Sequence, residues 1–239
     1  MNQAAAFQPF GPIHTATVVV VVLVCVLLPL GMRARGSPTL RLRVGEGLGL
    51  ALLGHEALKI AVLVIGYGLP LLQSLPLHLC GVSVFLTAWV LLGRKYRAYE
   101  VVYFWGLGGS LMALATPDLQ YNFPHPLFIT FFVSHALVLL GVTYATVVYG
   151  FRPLPRSLLL AMVVSLVYLG LMFFVNLALG TNYLYLREKP TQPSLLDYLG
   201  PWPWYLAGMI VVGAAVMLLC YTPFAIGDWC RQRREAGWT

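Results

Sequence analysis

About seven long apolar stretches, separated by short polar connections, constrain this chain more than any other feature of its sequence. Each is close to the roughly 20 apolar residues that a helix needs to cross a hydrocarbon core. Barrel-length segments of alternating polarity are missing from the sequence, so helices are the expected spanning structure. The predicted spans are residues 14–31, 45–67, 75–93, 99–115, 126–150, 157–180 and 203–226.

Composition points to an all-α fold, a polytopic membrane helix bundle that forms a single transmembrane domain over residues 1–239. Hydrophobic residues make up 59% of the chain and charged residues only 10%. A water-soluble domain needs more polar surface than this composition provides. We therefore expect a multi-pass protein of the cell membrane.

The distribution of basic residues predicts how the bundle is oriented. Of the 15 Lys and Arg residues, most follow the first, third, fifth and seventh spans and so lie on one side of the membrane. By the positive-inside rule that side is cytoplasmic, which places the amino terminus outside and the carboxyl terminus inside. The net charge of +7 then reflects topology and anionic lipid head groups, and no nucleic acid partner is expected. The basic residues on the predicted cytoplasmic side are Arg33, Arg35, Arg41, Arg43, Arg94, Lys95, Arg97, Arg152, Arg156, Arg231, Arg233 and Arg234.

Polar groups inside the spans are candidates for function, because an ionisable side chain in hydrocarbon costs at least about 2–3 kcal/mol. Counted along ideal helices, Cys80 lies roughly 8 Å, Lys59 roughly 12 Å and His135 roughly 13 Å below the predicted outer surface. The others fall in the same half of the bilayer. One polar cavity that opens outward is the simplest interpretation. The set comprises His55, Glu56, Lys59, His78, Cys80, His135 and Asn176.

Each of these residues also has a purely structural interpretation. Glu56 and Lys59 are i, i+3 neighbours and are able to neutralise each other on one helix face. A free cysteine is usually a small buried hydrophobe, and Cys80 alone would be interpreted in that way. The presence of His135 at a compatible depth favours a catalytic interpretation of Cys80 instead, because a histidine on another helix is the usual base for a thiol nucleophile. The cysteine and histidine spacings fit neither a metal site nor a disulfide framework.

Several short motifs resemble the YwaF-like family of integral membrane proteins, whose animal relatives include a transmembrane acyltransferase that acts on ether phospholipids. The resemblance extends from the second span to the seventh. It implies that Cys80 and His135 occupy the positions of a proposed catalytic pair in the animal relative. The matching segments are residues 75–80 (LPLHLC), 103–106 (YFWG), 134–135 (SH), 180–184 (GTNYL) and 200–205 (GPWPWY).

The leading hypothesis is therefore a phospholipid acyltransferase or transacylase with a cysteine nucleophile, a histidine base and no cofactor or metal. Its partners would be membrane phospholipids and lysophospholipids. An outward-facing site has poor access to cytosolic acyl-CoA, which favours a phospholipid donor, and water as acceptor would make it a lipase. Donation to an oxyanion is assigned to His78, Asn176 or Asn182. Tyr183 is a further supporting residue, and Glu56 and Lys59 would orient His135 or bind a phosphate.

Two other classes of function remain open on the sequence. Intramembrane Glu56, Lys59 and the histidines are also what a proton-coupled transporter or channel for a small solute uses. Against this, the sequence shows no inverted repeat and no paired broken helices. A non-catalytic membrane scaffold would tolerate changes at Cys80, His135 and Glu56 alike. Replacement of Cys80 by serine separates an acyltransferase from a carrier, since only the former needs the sulfur.

Overall fold

The computed structural model describes residues 6–190 and 194–235, and within them the chain is a bundle of helices. Seven helices are long and one, α3, is a single turn. They confirm the helical membrane bundle expected from the sequence. The helices are α1 (Pro12–Arg35), α2 (Pro38–Ala61), α3 (Leu71–Ser74), α4 (Leu79–Gly93), α5 (Tyr96–Ala115), α6 (Pro126–Val147), α7 (Pro155–Leu179) and α8 (Trp204–Glu235).

Prolines and glycines account for most of the helix boundaries. α1, α2, α6 and α7 each begin with a proline, where the missing N–H costs no hydrogen bond and the fixed φ suits the helix. α7 ends at Gly180, which adopts the left-handed conformation with φ of 65° that glycine accepts without a steric penalty. The α2 helix continues through one π-helical turn, Val62–Gly66, before it ends.

Five of the described helices are long and apolar enough to cross a membrane: α1, α2 with its π-helical turn, α6, α7 and α8. α4 is apolar but only 15 residues long. α5 has most of its side chains buried and packs against α4, α6, α7 and α8. The side chains on the outside of the bundle are largely apolar, as a lipid environment requires. The protein is therefore a multi-pass membrane protein built around α5.

The third predicted span begins later in the structure than the sequence suggested. Residues 75–78 are not helical, and α4 starts at Leu79 rather than near residue 75. Gly81 explains the close turn, because a Cβ at this position would lie 2.6 Å from the carbonyl oxygen of Pro76. Only glycine permits this contact between the preceding segment and the helix. Cys80 is consequently in the first turn of α4 instead of about one and a half turns along a span.

Glu100, near the start of α5, ties α5 to α7 at the end of the bundle away from Cys80. Its carboxylate is fully buried. Oε1 accepts a hydrogen bond from Ser157 Oγ at 2.8 Å, and Oε2 accepts one from Arg97 at 3.2 Å. Arg156 Nε lies 3.6 Å from Oε1. The sequence alone gives no sign of this burial, because a single sequence does not reveal which helices cover a residue.

Candidate functional site

The start of α4 presents the Cys80 thiol beside unpaired backbone donors. His78 is the N-cap residue, and its side chain makes no capping hydrogen bond. The first N–H groups of a helix have no intrahelical partner, and the helix terminus carries a partial positive charge. The Cys80 residue is half-buried. Its sulfur lies 3.8 Å from where a Cβ of Gly109 would stand, which places the thiol against α5.

His78 is held in place by the segment that follows α7. Its Nδ1 accepts a hydrogen bond from the Leu184 N–H at 3.4 Å. Its ring packs edge-on against Tyr183 at 5.3 Å and lies 5.6 Å from the Tyr185 ring, between centroids. The Tyr183 hydroxyl donates to the Leu72 carbonyl. The segments before α4 and after α7 therefore form one unit around His78.

Asn176 and Asn182 shape this unit through hydrogen bonds to its backbone. Asn176 is fully buried; its Oδ1 accepts from Thr181 Oγ1 at 2.9 Å and from the Tyr183 N–H at 2.7 Å. Its Nδ2 donates to the Tyr183 carbonyl at 2.8 Å. Asn182 bonds in the same way to the backbone of Arg187 and Glu188. Both amides are engaged in holding the segment, which gives them a supporting role in its shape.

Tyr185 and Asp118 join the site, although sequence reasoning had singled out neither. Leu184 and Tyr185 have φ of 59° and 54°, a left-handed conformation that is strained for such residues and that clusters at functional sites. The Tyr185 hydroxyl donates to Asp118 Oδ2 at 2.9 Å. Burial and the Asp118 charge raise the pKa of Tyr185, so the hydroxyl stays protonated. No motif links the two residues, which lie in separate loops.

An apolar cavity of about 420 Å³ begins at Cys80. α7 and α8 form its long walls, and His78, Leu184 and Tyr185 lie at the same end as the thiol. The one serine in the wall, Ser165, has its hydroxyl hydrogen-bonded to Ala161 O and Trp105 Nε1, each at 2.7 Å. The wall thus offers almost no unsatisfied polar group. Its principal residues are Met162, Leu166, Leu169, Met209, Gly213 and Met217.

A second, polar cavity of about 320 Å³ meets the first at His78. Gln73, Thr181 and Asn182 line it together with Arg187 and Glu188, which bring one positive and one negative charge. His78 lines both cavities. An amphiphilic molecule is therefore able to place its polar part in one cavity and an apolar chain in the other.

Glu56 and Lys59 form an ion pair on α2, with Lys59 Nζ 2.7 Å from Glu56 Oε1. The Glu56 side chain is 1% exposed and that of Lys59 23%. Among the residues that the structure describes, Glu56 Oε2 has no hydrogen-bond partner. A buried carboxylate oxygen without a partner is costly and is seldom kept without a role.

The charge of Lys59 links the other candidate residues into one electrostatic neighbourhood. It acts on His55 of its own helix, on His78 and Cys80 at the start of α4, and on His135 of α6. Glu56 acts on Cys80 as well. Residues from three elements therefore lie within electrostatic range of one ammonium group.

His135 has one ring nitrogen engaged and one available. Its Nδ1 lies 2.8 Å from the Phe131 carbonyl oxygen. Because a carbonyl only accepts, Nδ1 carries the hydrogen and Nε2 keeps its lone pair. Over residues 6–190 and 194–235, neither Nε2 of His135 nor the Cys80 thiol makes a hydrogen bond to the other. The same residues contain no cluster of three His, Cys, Asp or Glu side chains able to hold a metal ion.

Comparison with known proteins identifies relatives over most of the chain. The TMEM164 family matches residues 9–221. An uncharacterized protein of Treponema pallidum (strain Nichols) is 26% identical over 152 residues. That alignment spans 64% of this chain and 63% of the Treponema protein, so the chain matches somewhat under two thirds of its relative's length. No solved structure matches.

Proposed function

This chain belongs to the TMEM164 family, and we propose that it is a membrane-embedded phospholipid acyltransferase or transacylase. One observation carries the proposal: the Cys80 thiol, at the first turn of α4, opens into an apolar cavity within the bundle. A nucleophile at the mouth of an apolar cavity suits an ester of a long acyl chain. The YwaF-like resemblance and the animal ether-phospholipid acyltransferase point to the same chemistry.

In the first half-reaction the Cys80 sulfur attacks the ester carbonyl carbon of a phospholipid. His135 Nε2 accepts the thiol proton, directly or through one water molecule. A carbon–sulfur bond forms, the ester carbon–oxygen bond breaks, and the proton passes from His135 to the departing alkoxide. The products are an acyl thioester on Cys80 and a lysophospholipid. No external oxidant or reductant is needed.

The negative charge that develops on the carbonyl oxygen is stabilised by backbone donors at the start of α4. The free N–H groups of the first turn, including that of Cys80 itself, lie beside the sulfur. One donor of this kind typically contributes about 3 kcal/mol to the transition state. These groups replace Asn176 and Asn182 as our choice for this role, because both amides bind their own loop.

In the second half-reaction a hydroxyl of a lysophospholipid attacks the thioester. His135 accepts the hydroxyl proton and returns it to the sulfur as the carbon–sulfur bond breaks. Water in place of the hydroxyl would release a fatty acid. The lipid head group lies in the polar cavity, where Arg187 offers a positive charge to a phosphate, while Glu56 and Lys59 position His135.

The proposed orientation of the bundle determines which acyl donor reaches Cys80. With the amino terminus outside, the Cys80 end of the bundle faces the outer leaflet of the cell membrane. Phospholipids reach this site directly and cytosolic acyl-CoA does not. We therefore favour a transacylase, and strict dependence on acyl-CoA would contradict the proposed orientation.

Intact-protein mass spectrometry after incubation with phospholipid vesicles tests the proposal. We expect a hydroxylamine-labile mass increase of one acyl group on the wild type. The Cys80→Ala variant should show none, while Cys220→Ala, which removes another free cysteine of the bundle, should acylate like the wild type. No adduct on the wild type with several lipid donors, together with no turnover, would contradict the proposal and favour transport through Glu56 and Lys59.

A further inference from the structure

The walls of the apolar cavity run along two helices, α7 and α8. On α8 the wall residues Met209, Gly213 and Met217 follow each other at intervals of four, which places them on one face of the helix. They extend over about 12 Å at the rise of an α-helix. Met162, Leu166 and Leu169 form the matching face of α7. The cavity therefore leads from the Cys80 end of the bundle toward its middle.

The cavity also opens sideways. Leu166 of α7 and Ile210 of α8 line it, and they are 52% and 40% exposed. Such exposure in cavity-lining residues of two neighbouring helices indicates that the helices do not seal the cavity between them. In a membrane this gap faces the hydrocarbon, so an apolar chain has a path into the cavity without passing through water.

We infer that this cavity is an acyl-chain tunnel that a membrane lipid enters laterally between α7 and α8, and that Gly213 sets its width. The inference rests on the proposed function, since it names where the acyl group of that reaction lies. The occupant is one fatty acyl chain. The wall is apolar, its only serine is already hydrogen-bonded, and the polar cavity begins at His78, beside the thiol. The ester thus lies where the two cavities meet.

Gly213 is the position from which the tunnel can be tested. Gly213 lines the cavity and a Cβ there meets no atom within 4 Å, so a larger side chain has room to begin at this position and occupy part of the cavity. Gly170 on α7 is a matched control. It is exposed and its Cβ also meets nothing within 4 Å, but it does not line the cavity.

Photocrosslinking in a Cys80→Ala background measures chain binding without any chemistry at the thiol. The probe is phosphatidylcholine with a diazirine near the end of one acyl chain, in vesicles with the full-length protein. We expect crosslinks at Met209, Gly213 or Met217. Gly213→Phe should reduce them about tenfold or more, the factor expected from losing the burial of two methylene groups. Gly170→Phe should leave them unchanged, and Gly213→Leu should have an intermediate effect. Thermal unfolding shows that each variant is folded.

Crosslinks that persist at the same residues in Gly213→Phe, or that fall only on outward-facing side chains, would overturn the tunnel. The same substitutions in the wild-type background separate the tunnel from the chemistry. A thioester that forms equally well in Gly213→Phe refutes the tunnel and leaves Cys80 as the nucleophile. Chain capture without any thioester on the wild type upholds the tunnel and refutes the acyltransferase.

Discussion

Two glutamates are buried inside this bundle, one at each end, and they are bound very differently. Glu100 has partners on both carboxylate oxygens, from α5 itself and from Arg156 and Ser157 of α7. Glu56 has a single partner, Lys59, three residues along the same helix, and one of its oxygens is unpaired among the described residues. The first arrangement links helices together, whereas the second links nothing outside α2.

The difference separates a structural cluster from a functional one. A buried polar network that is fully satisfied makes the packing of its helices specific. A buried ion pair with an unpaired oxygen adds little to stability, because the cost of desolvation exceeds the attraction. Glu56 also lies within electrostatic range of the candidate site, since its charge acts on Cys80 and that of its partner Lys59 acts on Cys80, His78 and His135. Four predictions follow this contrast, from the largest effect to the smallest.

Replacement of the nucleophile should have the largest effect. We expect Cys80→Ser to reduce lysophospholipid formation from phosphatidylcholine in proteoliposomes about a thousandfold or more, because the hydroxyl is a far weaker nucleophile without a tailored base. Cys220→Ser serves as the matched control and should retain activity. Activity of Cys80→Ser near the wild-type level would remove the sulfur from the mechanism and favour a carrier.

Substitution of the base comes next. His135→Gln should slow acylation of Cys80 by about 10²–10⁴-fold, the usual contribution of a general base, with little change in thermal unfolding. His14 provides the contrast, because both its ring nitrogens are hydrogen-bonded, to the Phe10 N–H and to the Leu114 carbonyl. His14→Gln should lower stability and leave the acylation rate per folded molecule unchanged. Equal effects of the two substitutions on acylation would contradict the role of His135.

At the opposite end of the bundle, the effect should be on stability alone. Ser157→Ala removes the 2.8 Å hydrogen bond to Glu100 and should lower the free energy of unfolding by about 1–2 kcal/mol. Thr222→Ala is the control, since its exposed hydroxyl bonds only to the Leu218 carbonyl of its own helix, and it should change stability by less than about 0.5 kcal/mol. Reduced acylation per folded Ser157→Ala molecule would show that the two ends are not independent.

The smallest effect should come from Tyr185→Phe. Loss of the hydroxyl that donates to Asp118 should slow acylation about fivefold, equivalent to a hydrogen bond of about 1 kcal/mol. Tyr198→Phe, at a highly exposed tyrosine, should behave as the wild type in the same mass-spectrometric time course. An unchanged rate in Tyr185→Phe would restrict Tyr185 to shaping its loop.

The sequence predicted the helices better than it predicted their contacts. Each of the seven predicted spans overlaps a long helix of the structure, because length and hydropathy are properties of one segment at a time. The start of α4 was placed wrongly near residue 75, since the effect of Pro76 depends on the packing of Gly81 against it. The sequence could not predict that α7 and α8 together form the cavity wall, because periodicity does not reveal which helices touch.

The candidate site was also only partly predictable from the sequence. Glu56, Lys59, His78, Cys80 and His135 stood out because polar groups are costly inside spans. Tyr185 and Asp118 gave no signal, as tyrosine and aspartate are ordinary in loops between spans. The deep burial of Glu100 also escaped prediction, because its position near the end of a span suggested an interface. The sequence thus identified polar residues that are unusual inside a membrane span. It missed residues whose importance depends only on how the helices and loops pack.

The central claim is that Glu56 serves the candidate site whereas Glu100 stabilises the bundle. It is tested most directly by comparing Glu56→Gln with Glu100→Gln. Both variants are measured for the acylation rate of Cys80 and for the free energy of unfolding. We predict that Glu56→Gln slows acylation about tenfold or more, by disturbing the position of His135. It should change stability by less than about 1 kcal/mol, because the glutamine oxygen still accepts a hydrogen bond from Lys59. Glu100→Gln should lower stability by about 2 kcal/mol and leave acylation per folded molecule unchanged. The opposite pattern, or equal effects of both substitutions on both measurements, would contradict the account.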